Sequence, residues 1–118
     1  MNKPRPIKLT DKDGKVFTLE YNRDSAKFIE ERGLSLNDID DKPTTQLPLL
    51  FWGAFRMHHR NISLADADRI RDEELCGLTK EMIARLCELY AYPAASMVRS
   101  EEDDDEADSK NVSMTVEM

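Results

Sequence analysis

Apolar and polar residues alternate near the start of the chain, in two short runs separated by a turn sequence. The first run is Ile7–Thr10 and the second is Phe17–Tyr21, with an Asp-Gly pair between them. Alternation is typical of a strand with one buried face, and Asp-Gly favours a tight turn. The pattern predicts a β-hairpin over residues 7–21. A hairpin alone is marginally stable in water, so its apolar face must pack against another part of the chain.

Beyond the hairpin, apolar positions recur every three or four residues, which is typical of amphipathic helices. The spacing predicts helices over residues 24–32, 45–59, 64–74 and 80–92, with one helical turn around Leu36 and Ile39. The side chains expected to cap the helix N-termini are Asp24, Thr45, Ser63 with Asp66, and Thr79. The residues expected to end helices are Gly33, Gly77 and Pro93.

The helix predicted over residues 45–59 carries the strongest pattern in the chain. One apolar stripe comprises Leu47, Leu50, Phe51, Ala54, Phe55 and His58. A second set, roughly opposite, comprises Leu49, Trp52 and His59. A helix that is apolar on most sides is either central to a fold or keeps one side for a partner. Gly53 inside it indicates either close approach by another backbone or tolerance of a cost of about 1 kcal/mol.

Charge divides the chain into a neutral body and an acidic tail. The net charge of −7 falls entirely in residues 100–118, which contain one lysine and eight acidic residues, while residues 1–99 balance. The predicted hairpin and helices together indicate an α+β fold that is mainly α. Residues 1–99 form one domain with a hairpin and about four helices, and residues 100–118 form a disordered acidic tail.

Few side chains suggest chemistry. Cys76 and Cys87 lack a CxxC spacing and are expected to be reduced, small apolar core residues. The adjacent His58 and His59 point about 100° apart on a helix and cannot share a metal, so one is expected to be half-buried and one on the surface. No nucleotide-binding glycine motif occurs. We therefore expect no enzyme, no metal and no cofactor.

Composition also narrows the partners and the location. The neutral body has no cluster of basic residues, so a nucleic-acid partner is not expected. No apolar run approaches the ~20 residues that a membrane helix needs, and no signal peptide is recognisable, so the expected location is the cytoplasm. The candidate binding surface comprises Leu49, Trp52, Met57, Met82, Leu89 and Tyr92. These six residues could form an apolar groove for a partner helix, or could instead belong to the core or to a contact between copies of the chain.

The order of these elements resembles that of the tail assembly chaperones of long-tailed bacteriophages and of prophages in Gram-positive bacteria. The resemblance covers roughly residues 7–95. It rests on the segment Phe17–Gly33, on the Pro-bounded helix with Leu50–His59, and on Asn61–Asp68 before a final helix. These are packing patterns without a catalytic motif or a ligand set.

The resemblance implies a protein that acts in the cytoplasm of the bacterial host and is missing from the mature virion. It would bind the tape measure protein, keep it soluble and help recruit tail tube subunits, with homo-oligomers also allowed. Repeated weak contacts along one long client would gain strength through effective concentration. The acidic tail would limit clumping or attract tube subunits, or would be an inert linker.

Two other interpretations remain open at this stage. One is a small phage structural or adaptor protein that stays in the particle. The other is a DNA-binding regulator, because the helices over 64–74 and 80–92, joined by a short turn, loosely resemble a helix-turn-helix. The second of these helices exposes Glu81 and Glu88 beside Lys80 and Arg85, however, and a recognition helix is usually basic.

Overall fold

The structure is a computed structural model that describes residues 2–98. It confirms the predicted fold, a two-stranded antiparallel hairpin followed by four α-helices. The predicted disordered tail, residues 100–118, lies outside the described residues. The elements in chain order are β1 (Ile7–Thr10), β2 (Val16–Leu19), α1 (Arg23–Glu30), a 3-10 turn (Leu36–Asp38), α2 (Pro43–Gly53), α3 (Leu64–Arg69), a π-helical turn (Ile70–Glu74) and α4 (Lys80–Ala95).

The hairpin packs one apolar face against the helices, as its alternation predicted. Ile7 pairs with Leu19 and Leu9 pairs with Phe17, so these four side chains share a face. Three of them are buried, and Leu9, near the turn, is half-buried. The face is therefore closed at the end near Ile7 and Leu19 and less fully covered at the other end.

Helix α2 lies at the centre of the fold and contacts α1, α3 and α4. Leu50 and Phe51 on α2, and Ala54 and Phe55 just after it, are fully buried. Phe55 packs edge-on against Phe51 at 5.1 Å and against Phe17 of β2 at 5.6 Å between ring centroids. Of the two interpretations of this all-round apolar helix, the structure supports the central position.

The predicted starts of α1 and α2 are wrong, and local chemistry explains both. α1 also ends at Glu30 instead of residue 32. α1 begins at Arg23 because Asn22, rather than Asp24, caps it in a reciprocal box with Ser25. α2 begins at Pro43, before the predicted cap Thr45, because proline is preorganised for the first helical turn. It also ends at Gly53 instead of residue 59, and the chain continues in tight turns.

The last predicted helix is longer than expected. Thr79 caps α4 through the Met82 amide as predicted, but Pro93 does not end the helix, which continues to Ala95. Pro93 is buried in the final turn, where its missing N–H removes a single backbone bond, and the Ser96 amide still donates to the Tyr92 carbonyl at 2.8 Å.

Gly53 is required by close packing, but the atoms that approach it belong to side chains and not to the backbone that the sequence analysis predicted. A Cβ atom at this position would clash with the Tyr21 hydroxyl and lie 3.0 Å from both Cβ and Cγ1 of Ile29. The Tyr21 hydroxyl is held there because it donates to the Leu50 carbonyl at 2.6 Å. The end of α2 can thus approach α1 and the residues after β2 only where a side chain is missing.

Candidate functional site

The six residues predicted as a binding surface do not form one surface. Leu49 and Leu89 are 9% and 2% exposed and belong to the core, which was the alternative interpretation. The prediction that they face a partner is wrong because α2 and α4 are buried on more sides than one stripe. Trp52, Met57, Met82 and Tyr92 are half-buried.

Trp52, Met57 and Tyr92 have different neighbours, and Met57 lines a shallow pocket at the N-terminus of α1. Trp52 packs edge-on against Phe28 at 5.2 Å, and its indole N–H donates to the Ile62 carbonyl at 2.9 Å. Tyr92 lies in a depression against the N-terminal segment, beside Asn2 and Pro4. Large apolar side chains that are exposed in the described residues are limited to Val16, Leu64, Met97 and Val98. The fold therefore encloses more apolar surface than the sequence patterns suggested.

A groove lies where the open end of the hairpin faces the π-helical turn. It has a volume of about 430 Å³, and its apolar lining comes from Leu9 and Phe17 on one side and Ile70 and Leu75 on the other. Phe17 and Ile70 are buried, while Leu9 and Leu75 are half-buried. This volume falls within the usual range of binding clefts in proteins. We call it the hairpin groove.

The rim of the hairpin groove is charged with both signs. The polar residues that line it are Thr10, Asp11, Lys12, Arg69, Glu73 and Glu74. Arg69 and Glu74 form an ion pair at 3.2 Å across the π-helical turn. An apolar base between charged edges suits a segment with an apolar stripe flanked by charged side chains.

The π-helical turn gives the groove its shape. The Leu75 amide donates to the Ile70 carbonyl five residues back, and the Gly77 amide donates to the Arg71 carbonyl. The chain then turns through two left-handed residues, Cys76 and Gly77, with φ of 56° and 106°. Such π turns occur frequently at functional sites in other proteins.

Arg71 stiffens this turn through bonds to two neighbouring carboxylates. Its guanidinium donates to Asp68 at 2.8 Å and makes two bonds to the Asp72 carboxylate, at 2.9 and 3.0 Å. These bonds raise the pKa of Arg71, with the bonds to Asp72 as the largest cause. The side of the groove that carries Ile70 and Leu75 is therefore held in place before any partner binds.

Sequence reasoning missed the hairpin groove, although one signal for it was present. The hairpin face contains Leu9 beside Phe17, and an apolar face must be covered by something. The π-helical turn had no comparable signal, because residues 64–74 fit an ordinary helix. Ala67 and Ile70 are the buried residues of this segment.

Glu20, His58 and His59 connect the hairpin to the segment after α2. The Thr18 amide donates to Nε2 of His59 at 3.0 Å, and the Glu20 carboxylate contacts His58 at 2.8 Å and Lys3 at 3.3 Å. Burial opposes ionisation of Glu20, but the hydrogen bonds from His58 and Lys3 outweigh it, so the pKa of Glu20 lies below its ordinary value. No sequence pattern marked Glu20 as a buried carboxylate.

The stability of the fold is expected to fall as the pH is lowered below 6.5. Burial, with smaller effects of His58 and Lys15, lowers the pKa of His59 from its ordinary value of 6.5. The folded state thus favours neutral His59, and this contribution is lost as the pH falls from 6.5 through the folded pKa. Urea unfolding across this pH range measures it, and His59→Gln should remove most of the slope. A parent with the same free energy of unfolding throughout would contradict the assignment.

The histidine prediction is confirmed, and the cysteine prediction is wrong in part. His59 is half-buried and His58 is exposed. Cys87 is half-buried, but Cys76 is exposed because it occupies the turn after the π helix.

Among residues 2–98, no three His, Cys, Asp or Glu side chains are grouped so that they could hold a metal ion. None of the helices described has the length and apolar character needed to cross a bilayer.

In a helix-turn-helix protein, α4 would be the recognition helix that contacts DNA. Its basic surface is limited. Arg85 donates to the carbonyls of Arg5 at 3.0 Å and Pro6 at 3.4 Å. Its guanidinium is therefore occupied by the N-terminal segment. Glu81 and Glu88 line a depression together with Arg85 and the N-terminal residues 4–6.

Comparison with known proteins identifies a family without a described activity. A family model described as "Domain of unknown function (DUF5055)" matches residues 1–118. Neither a curated protein nor a solved structure matches the chain. The description names no ligand or partner, so an assignment of function depends on the surfaces described above.

Proposed function

We propose that this chain, which belongs to the DUF5055 family of domains of unknown function, is a phage tail assembly chaperone. In this role it binds the tape measure protein in the host cytoplasm, keeps it soluble and helps recruit tail tube subunits. The hairpin groove is the observation that supports the proposal best. The resemblance in the sequence supplies the identity of the client.

The lining of the groove matches the chemistry of such a client. A tape measure protein is a long helical chain whose apolar stripe is uncovered until the tube closes around it. Leu9 and Leu75 are half-buried at the groove surface and can contact an apolar stripe, while Lys12, Arg69 and Glu73 on the rim can pair with flanking charges of either sign. One groove buries a small area, so several copies along one client are needed for tight binding.

Two features of the described residues favour binding over catalysis. Every buried side-chain nitrogen or oxygen in this part of the chain has a hydrogen-bond partner, so no orphaned polar group points to a substrate. None of the described residues whose pKa departs from its ordinary value lines the hairpin groove, and two of them, Glu20 and His59, hold the hairpin in place.

Co-expression with the tape measure protein encoded in the same gene cluster tests the proposal. We expect the tape measure protein to be in the soluble fraction with this chain and in the pellet without it. A matched control expresses an unrelated acidic protein of similar size, because added negative charge alone can improve solubility. Equal partition of the tape measure protein in all three cultures would refute the proposal.

Mass spectrometry of purified particles separates a chaperone from a structural or adaptor protein. A chaperone leaves before the particle is complete, so we expect its peptides in the lysate and not in washed particles. Stoichiometric recovery from washed particles would instead favour an adaptor that is retained in the tail.

A further inference from the structure

Two arginines flank one phenylalanine on the outer side of α1. The guanidinium carbon of Arg32 lies 3.5 Å from the centroid of the Phe28 ring, and that of Arg56 lies 3.7 Å from the same centroid. Two groups this close to one ring must lie on opposite faces, since a single face has room for one. Trp52 closes the edge of the ring. We call this arrangement the arginine stack.

The arginine stack holds positive charge that is not neutralised locally. Within residues 2–98, neither Arg32 nor Arg56 has a carboxylate oxygen within 4 Å. Arg32 donates one bond to the Phe28 carbonyl, which leaves most of its N–H groups available. Stacking on the ring orients each guanidinium and lowers the entropy lost when it binds a carboxylate.

Further basic residues lie at the N-terminus of α1, near the stack and near the end of the described chain. Arg56 and Arg60 line a shallow pocket at the N-terminus of α1, where Asp24 also lies without forming an ion pair to either. Arg23, the first residue of α1, donates to the Ser96 hydroxyl at 3.2 Å. The described chain therefore ends near the N-terminus of α1, and Arg56 and Arg60 lie at the same end of this helix.

We propose that the arginine stack is a carboxylate-binding site and that the acidic run of residues 101–106 occupies it. The run consists of six consecutive Glu and Asp residues, the densest negative charge in the sequence. Bidentate bonds between guanidinium and carboxylate are among the strongest that side chains form. This inference is independent of the proposed function.

The distance is short enough for the same chain to reach. Five residues of helix separate Arg23 from Phe28, which is about 7.5 Å along the axis and about 140° around it, so the stack lies across the exposed side of α1 from Arg23. The eight residues from Val98 to Glu106 span up to roughly 26–29 Å when extended, which exceeds a path across a helix about 10–12 Å in diameter. The acidic run can therefore contact the stack without unfolding α4.

Amide NMR spectra of the full chain at low and at about 1 M salt test the proposal, since the Debye length falls to roughly 3 Å at the higher concentration. The probes are the amides of Phe28, Arg32 and Arg56 and the Trp52 indole N–H. In the parent we expect these signals to move when salt releases the run. In a variant with E101Q, E102Q, D103N, D104N, D105N and E106Q, they should already have their high-salt positions at low salt.

Two further variants distinguish docking from a general charge effect. Asp108→Asn with Glu117→Gln removes carboxylates of the same segment outside the run, and should leave the probe signals at the parent's low-salt positions. A variant with R32E and R56E, combined with lysine at all six positions of the run, should regain salt-dependent shifts. The hairpin amides report whether each variant is folded.

Two results would overturn the proposal. If the neutralised variant and the parent give the same probe signals at low salt, the run does not occupy the stack. If the signals change with protein concentration, the run binds a second copy, and the intramolecular docking is wrong.

Discussion

Phe55→Ala is expected to lower the free energy of unfolding by about 3–5 kcal/mol, the usual cost of truncating a buried aromatic side chain. Phe55 is fully buried and packs edge-on against Phe17 and Phe51. It thus joins the hairpin to α2, and the surrounding rings cannot collapse into the space without moving a strand. Urea denaturation monitored by circular dichroism measures the change.

Val16→Ala provides the matched control for Phe55→Ala. Val16 is 50% exposed on β2 and should change the free energy of unfolding by no more than about 0.5 kcal/mol. A loss below about 1 kcal/mol for Phe55→Ala would contradict the central position of this ring. Because Phe17 also lines the hairpin groove, we expect Phe55→Ala to weaken client binding as well.

Gly53→Ala is expected to lower the free energy of unfolding, although helix propensity alone predicts that alanine would raise it. Propensity alone favours alanine by about 1 kcal/mol. Here the added methyl group would clash with the Tyr21 hydroxyl and press on Ile29. Overpacking of this kind costs about 1–3 kcal/mol. We therefore expect a net loss in the free energy of unfolding, measured by urea denaturation.

A second substitution, Tyr21→Phe, tests whether the Tyr21 hydroxyl causes the loss of stability expected for Gly53→Ala. Tyr21→Phe removes the hydroxyl and its bond to the Leu50 carbonyl, so alone it should also destabilise the fold. Combined with Gly53→Ala, it should cost less than the sum of the two single changes, because the main obstructing atom is gone. Strict additivity, or a stabilising Gly53→Ala, would show that α2 and Tyr21 are not packed as described.

Most of the fold could be predicted from local rules, but the end of α2 depends on a tertiary contact. The hairpin follows from alternation, and the cap of α3 follows from Ser63 and Asp66, whose reciprocal bonds are present. The early end of α2 could not be predicted, because Phe55 and His58 continue the helical spacing beyond Gly53. What ends the helix is tertiary contact, since the Glu20 amide of the hairpin edge donates to the Ala54 carbonyl at 2.9 Å.

Much less of the candidate site than of the fold could be predicted from the sequence. Apolar periodicity marks residues that leave water, but does not say whether a fold or a partner covers them. Leu49 and Leu89 proved to be core for that reason. The hairpin groove depends on the π-helical turn before Cys76. Backbone hydrogen bonds that reach back five residues instead of four over a single turn leave no pattern in the sequence. The arginine stack joins α1 to the segment after α2, a pairing that sequence spacing cannot reveal.

The hairpin groove is expected to bind the apolar stripe of a client helix. Calorimetric titration with helical peptides from the tape measure protein of the same gene cluster tests it most directly. Leu75→Asp, in the groove, should weaken binding at least about tenfold, the effect of losing one interface anchor. Leu64→Asp, at an exposed leucine outside the groove, should bind like the parent. Equal affinities for the parent and both folded variants, or no binding by any of them, would contradict the claim.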